Sequence, residues 1–169
     1  GGYYEGEYKN TAINKMSGLE FPKADGKRHG LGARIWSNGA RYEGEWENDQ
    51  MVGAGVLTDV EGCTYVGNFL LGARHGKGTQ NYGNVHGVRY VCPMGHRHRG
   101  MGYCKYAGDW VQGYYEGEGI FECIDGRRYT GTFKKHKRHG FGKQEYIRYG
   151  EQGDEKRQFM GNNGAMYRF

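Results

Sequence analysis

No run of apolar residues in this 169-residue sequence approaches the roughly 18 needed to cross a bilayer, and no signal-peptide core is visible, so the chain is expected to be soluble. Hydrophobic residues make up only 36% and the mean hydropathy is −0.93, which argues against a deep core and for a thin architecture. Proline is nearly missing, with 2 residues, which excludes a proline-rich disordered tract. Cysteine is sparse too. Cys63, Cys92, Cys104 and Cys123 lack the dense spacing of a secreted disulfide framework and are expected to be free thiols in a reducing compartment. Catalytic signatures are equally scarce. No nucleophile with its base and no pair of pocket carboxylates stands out, and GARHGKG at Gly72 to Gly78 lacks the GK[ST] ending of a phosphate loop. No enzyme activity, catalytic residue or cofactor is therefore expected.

Glycine and aromatics are abundant. There are 33 Gly, 15 Tyr, 7 Phe and 3 Trp, and chains that stay disordered are poor in aromatic residues. Lys and Arg outnumber Asp and Glu by 24 to 19, giving a formal charge of +5. That balance favours acidic partners but does not choose among anionic lipid, an acidic protein surface and nucleic acid.

The abundant residues are arranged periodically. Aromatic, any, Gly, any, aromatic recurs as YEGEY at Tyr4 to Tyr8, YEGEW at Tyr42 to Trp46, YVGNF at Tyr65 to Phe69, YAGDW at Tyr106 to Trp110 and YTGTF at Tyr129 to Phe133. A regular copy carries paired glycines 11 and 13 residues after its Tyr, as in Gly53 and Gly55, Gly76 and Gly78, Gly117 and Gly119, and Gly140 and Gly142. A further Gly stands three residues before the Tyr, in Asn38-Gly39, Glu61-Gly62, His86-Gly87 and Asp125-Gly126. These dipeptides predict two-residue hairpin turns joining one repeat to the next. Gly87 leads to Tyr90, where YVCPM marks a degenerate repeat at 90–105. Gly1 stands three before Tyr4, so the first residue reads as the end of an earlier hairpin, and the chain as a piece of a longer one.

In a strand, Tyr42, Gly44 and Trp46 share one face while Glu43 and Glu45 share the other. One face is thus aromatic and the other charged. The Gly between two rings leaves a slot in which an aromatic group from a neighbouring hairpin is expected to settle. The expected fold is all-β: an elongated single-layer antiparallel β-meander of stacked hairpins, about five to six repeats in a twisted ribbon roughly 50 to 60 Å long. The repeat array spans 1–146, with an insertion at 9–27 forming a long exposed loop, and 147–169 is a C-terminal cap or incomplete repeat.

YEGEWENDQMVGAG and YVGNFLLGARHGKG closely match a known skeleton of Tyr, Gly, aromatic and paired Gly, and the pattern resembles the MORN (membrane occupation and recognition nexus) repeat family over about residues 1 to 146. The resemblance implies a meander with a groove along one side, and roles in scaffolding, dimerisation and phospholipid contact. Members of the family occur in flagellar axonemes, in cytoskeletal collars and at membrane junctions.

Three sets of residues are candidates for function. Tyr42, Trp46, Tyr65, Phe69, Tyr106, Trp110, Tyr129 and Phe133 either line a groove for an extended or helical partner segment or simply pack the ribbon. A basic element beside the paired glycines supplies Arg28, His29, Arg74, His75, Arg97, His98, Arg99, Arg138 and His139, which stacking would align into a stripe for anionic lipid or an acidic helix. Its alternative is a solvated edge that blunts exposed strands. Cys92, His96, His98 and Cys104 have the chemistry for zinc but not the spacing of a standard finger, so no metal is expected. Nucleic acid is disfavoured because no reading module accompanies the charge. The expected role is a non-enzymatic scaffold binding other proteins of a large cytoskeletal or axonemal assembly of a cilium or flagellum, with self-association a further expectation. The expected location is cytoplasmic and cytoskeleton-associated. The alternative is a peripheral membrane module using the basic stripe.

Overall fold

The structure is a computed structural model that describes residues 2–9, 26–83, 104–124 and 126–146, together with the backbone of 166–168. The degenerate copy at Tyr90, most of the 9–27 insertion and most of the C-terminal segment lie outside the described residues.

Among the described residues there is no helix. Eleven strands form one antiparallel sheet whose spatial order is the chain order: β1 (Tyr3–Tyr8), β2 (Arg28–Ile35), β3 (Arg41–Glu47), β4 (Gln50–Thr58), β5 (Thr64–Leu70), β6 (Ala73–Tyr82), β7 (Cys104–Val111), β8 (Tyr114–Cys123), β9 (Arg127–Lys134), β10 (Lys137–Tyr146) and β11 (Met166–Arg168). The meander inferred from the repeat is therefore the fold. β6 pairs directly with β7, placing Gly78 opposite Gly108. That matches Gly32 opposite Gly44 between β2 and β3, so residues 83–103 connect two strands that keep the ordinary inter-repeat register.

The two kinds of turn differ from the expectation. Gly39, Gly62 and Gly126 do adopt positive φ, at 92°, 79° and 89°, but the connections that hold them span more than two residues. The Gly39 N–H donates to the Trp36 carbonyl and the Gly62 N–H to the Asp59 carbonyl, each closing a wider turn. The tight two-residue turns lie inside the repeats instead. Asn48 and Asp49, Leu71 and Gly72, Gln112 and Gly113, and Lys135 and His136 all have positive φ at both central positions, the pattern of a type I′ hairpin. Two of these four pairs lack glycine, and none is Asn-Gly or Asp-Gly, so composition did not mark them.

The paired glycines do two different jobs. The first of each pair, Gly53 for instance at φ 55°, is left-handed and sits in a bulge. Across that bulge the register shifts by two residues, from Gly44 opposite Gly55 to Glu45 opposite Val52. Side chains alternate with period two, so a shift of two keeps every ring on its own face. The second glycine must be bare for steric reasons: a Cβ on Gly55 would stand 2.5 Å from the Tyr42 hydroxyl. The ring in the slot therefore comes from the same repeat, two residues before Gly44, and not from a neighbouring hairpin as the sequence suggested.

Candidate functional site

The aromatic face is a continuous chain of edge-to-face rings. Tyr4 meets Trp46 at 5.5 Å, Trp46 meets Tyr42 at 5.1 Å, Tyr42 meets Phe69 at 5.0 Å, and Phe69 meets Tyr65 at 5.0 Å. The chain continues through Trp110 at 5.1 Å, Tyr106 at 5.3 Å, Phe133 at 5.2 Å and Tyr129 at 5.1 Å. Every interplanar angle along this path lies between 80° and 89°, the arrangement that sets a positive ring edge against a negative ring face. Trp46, Phe69, Trp110 and Phe133 each thus stand between two tyrosines, one from the same hairpin and one from the hairpin before it in the sheet.

Polar tips are satisfied by the backbone. The hydroxyls of Tyr4, Tyr42, Tyr65, Tyr106 and Tyr129 donate to the carbonyls of Glu7, Glu45, Asn68, Asp109 and Thr132, always three residues on. Trp46 and Trp110 donate their indole N–H to the Gly32 and Gly78 carbonyls of the preceding repeat at 3.1 Å. Burial raises the tyrosine hydroxyl pKa, to about 12 for Tyr42 and Tyr65. All eight rings proposed as a partner groove have 0–4% of their surface exposed, so the structure places them in the core, where they pack the ribbon. Their faces are used up by one another.

The basic residues do not form a single stripe. Arg28 lies 4.2 Å from the Trp46 ring and 5.8 Å from Tyr4, Arg74 lies 4.7 Å from Trp110, and Arg138 lies 5.0 Å from Tyr129. The guanidiniums roof the aromatic face, in the row that Met51 and Tyr115 occupy in the other two repeats. Arg28 also pairs with Asp49 at 2.8 Å, while Arg74 and Arg138 donate to Gln80 and Gln144 at 2.6 Å. Adjacent residues of a strand point to opposite faces, so His29, His75 and His139 lie on the other side of the sheet. There His29 lines a shallow cleft of about 510 Å³ with Glu7, Glu45 and Glu47, and His139 another of about 580 Å³ with Glu116 and Glu118. The expected stripe thus divides between two faces, and Arg97, His98 and Arg99 lie outside the described residues.

The cysteine expectation needs correction. Cys104 and Cys123 are joined in a disulfide between directly opposed residues of β7 and β8, while Cys63 is a free, buried thiol. The sequence held the signal: counting four residues outward from the paired Gly108 and Gly119 reaches these two positions. The bond removes Cys104 from the weak zinc set, whose other members Cys92, His96 and His98 lie outside the described residues. Among the described residues Asp59, Glu61 and Cys63 form one cluster of ligand-type side chains. Asp59 Oδ1 accepts the backbone N–H groups of Glu61 and Cys63 at 2.9 Å, so its role is to close the turn.

The recurring unit is therefore a Tyr laid over two glycines, a left-handed glycine in a bulge, and a second aromatic bridging to the previous repeat. The MORN repeat family model matches residues 24–41, 42–64, 65–84, 106–127 and 129–148, more than half of the chain. The chain belongs to the MORN repeat family. Repeats of this kind generally act as non-enzymatic binding modules that mediate protein or membrane interactions. The ALS2 C-terminal-like protein of Homo sapiens is 33% identical over 103 residues, which cover 61% of this chain and 9% of that protein. The Bos taurus counterpart is 32% identical over the same length and coverage, and alsin of Rattus norvegicus is 29% identical over 103 residues, 6% of its length. This MORN array thus matches about a tenth or less of the length of these relatives.

Proposed function

We propose that this MORN array is a non-enzymatic scaffold that binds partner proteins within a larger, cytoskeleton-associated cytoplasmic assembly such as that of a cilium or flagellum. The observation that carries the binding role is the ring chain from Tyr4 to Tyr129, which locks successive hairpins into one rigid ribbon and leaves its outer face and turns to make contacts. A surface whose backbone is already fixed costs little ordering entropy on binding. Assignment to a cytoskeletal assembly rests on the family resemblance. The lipid alternative has no comparable support, because Arg28, Arg74 and Arg138 lie against rings rather than standing out as a row of exposed charges.

Crosslinking of the intact protein at native abundance, followed by mass spectrometry, tests this reading. The expected result is specific crosslinks to one or a few proteins of the same assembly. A protein that remains monomeric and without crosslinked partners would overturn it.

A further inference from the structure

The type I′ turns all fall on the same long edge of the ribbon, at Glu47 to Gln50, Leu70 to Ala73, Val111 to Tyr114 and Lys134 to Lys137. Each is pinned to its predecessor. The N–H groups of Asp49, Gly72, Gly113 and His136 donate to the carbonyls of Arg28, Met51, Arg74 and Tyr115, the equivalent atom of the repeat before. The turns therefore form a row of fixed pitch, about 9.6 Å for two strands.

Composition along the row is uneven, and it breaks local preferences in two places. Leu71 occupies the first central position of its turn, at φ 49°, where Asn48, Gln112 and Lys135 stand in the other three. Left-handed backbone is unfavourable for leucine, and 67% of this residue is exposed, so neither the turn nor burial accounts for its presence. Leu70 beside it and Val111 and Tyr114 on the next turn are 43–47% exposed, extending the apolar surface over two repeats. The last turn is basic. Lys134 and Lys137 are direct cross-strand partners, Lys135 lies between them, and all three are exposed. None forms an ion pair among the described residues, although like charges placed opposite one another cost stability. At the other end of the row Glu47 is exposed, while Asp49 is paired with Arg28 at 2.8 Å and Lys9 donates to Asn48 in the same turn, so the excess of basic charge is concentrated on the last turn.

We propose that this edge docks an amphipathic helix of a partner protein, with an apolar stripe lying across Leu70, Leu71, Val111 and Tyr114 and an acidic end meeting Lys134, Lys135 and Lys137. One heptad of α-helix rises about 10.5 Å, close to the pitch of the turns, so apolar residues at heptad spacing would meet successive turns in step. The apolar and basic parts of the edge lie on different turns, so a helix with an apolar stripe and an acidic end is complementary to both, and the match of heptad rise to turn pitch is a feature of a helix and not of a bilayer. The assignment rests on the protein-binding reading above and names the surface and partner class within it.

The test is selection of binders to the intact chain from a displayed library of 18-residue helical peptides randomised in apolar and charged positions. Enriched peptides should carry apolar residues seven apart and acidic residues at one end. They should lose at least tenfold in affinity for Leu71→Asn, and a Lys134→Glu, Lys137→Glu double variant should reverse the charge preference. Asn suits left-handed backbone, so Leu71→Asn should fold at least as well as the parent, and thermal unfolding checks that. Peptides that bind the parent and Leu71→Asn equally, or selection without heptad spacing, would overturn the inference. So would Leu71-dependent binding to phosphatidylserine vesicles in place of peptide binding. Crosslinked partners that ignore Leu71→Asn would leave the scaffold reading standing and sink only this surface, whereas a protein with no partner would sink both.

Discussion

Tyr42 lies across Gly55 of the adjacent strand so closely that a methyl group on that glycine would stand 2.5 Å from the phenol oxygen and 2.6 Å from a ring carbon. The contact is rigid on both sides, because the hydroxyl is tied to the Glu45 carbonyl at 3.0 Å and the ring is held by Trp46 and Phe69. Gly55→Ala should therefore cost about 2 to 4 kcal/mol, the range of a strained or disrupted core. Gly39→Ala offers the contrast. Its Cβ would meet nothing within 4 Å, and only the left-handed φ of 92° opposes it, so the loss should be about 1 to 2 kcal/mol. Urea denaturation of both variants checks the ranking, and an equal or reversed order would show that the ring contact is not the reason for the second glycine.

Arg74 approaches the ring of Trp110 at 4.7 Å, in a row where another repeat places Met51. A methionine there keeps the cover over the ring but leaves the buried Gln80 Oε1 without the Arg74 donor it accepts from at 2.6 Å, so Arg74→Met is expected to cost about 1 to 3 kcal/mol. Arg74→Glu should be worse, since it sets a carboxylate against negative ring faces. The same Met variant should leave binding to anionic vesicles unchanged if Arg74 serves the fold. A large, salt-sensitive loss in vesicle binding would restore the basic stripe as a lipid site.

The repeat, the all-β class and the aromatic face were legible because a period of about 23 residues and an alternation of two residues are both one-dimensional signals. Facts set by pairing across strands were less so. Arg28 and His29 are adjacent in a basic cluster and read as one patch, yet alternation sends one onto Trp46 and the other into the Glu45 cleft. Cys104 and Cys123 are 19 apart in sequence and meet only once the glycine register is known. The tight turns escaped notice for a different reason. Anchoring to the preceding repeat holds Leu71 and Lys135 in left-handed backbone that their own propensities oppose, so tertiary hydrogen bonds override turn chemistry there.

Alkaline titration should report the aromatic interior directly. The folded-state pKa values of Tyr42 and Tyr65 are raised to about 12 by burial, above the ordinary 10.0. A group that keeps its proton longer when folded stabilises the fold below the unfolded value. That contribution is lost as pH rises from about 10 through the raised value, because the unfolded chain ionises first. Tyrosinate absorbance should therefore show a late, cooperative phase well above pH 10 that coincides with loss of the β-sheet signal. A single phase near pH 10 with the sheet intact would mean that the inner tyrosines are open to solvent.

At the acidic side the group to watch is His136, which occupies left-handed backbone in the last tight turn at φ 67°. Its Nδ1 accepts the Tyr115 N–H at 3.3 Å, and its ring stands edge-on to Tyr115 at 4.5 Å. Desolvation lowers its pKa below 6.5, and the nearby Arg74 charge lowers it further. The unfolded chain therefore binds the proton first as pH falls. The stability that neutral His136 contributes is fully present above about 6.5 and declines as pH drops through the depressed folded value. Protonation would also turn Nδ1 from acceptor to donor and break its bond to Tyr115. His136→Asn suits the left-handed turn and removes the titration. It should flatten the stability profile between pH 7 and 5 while costing about 1 kcal/mol or less at neutral pH. Urea midpoints measured across that range decide the matter, and parallel profiles for parent and variant would show that the acid sensitivity arises elsewhere.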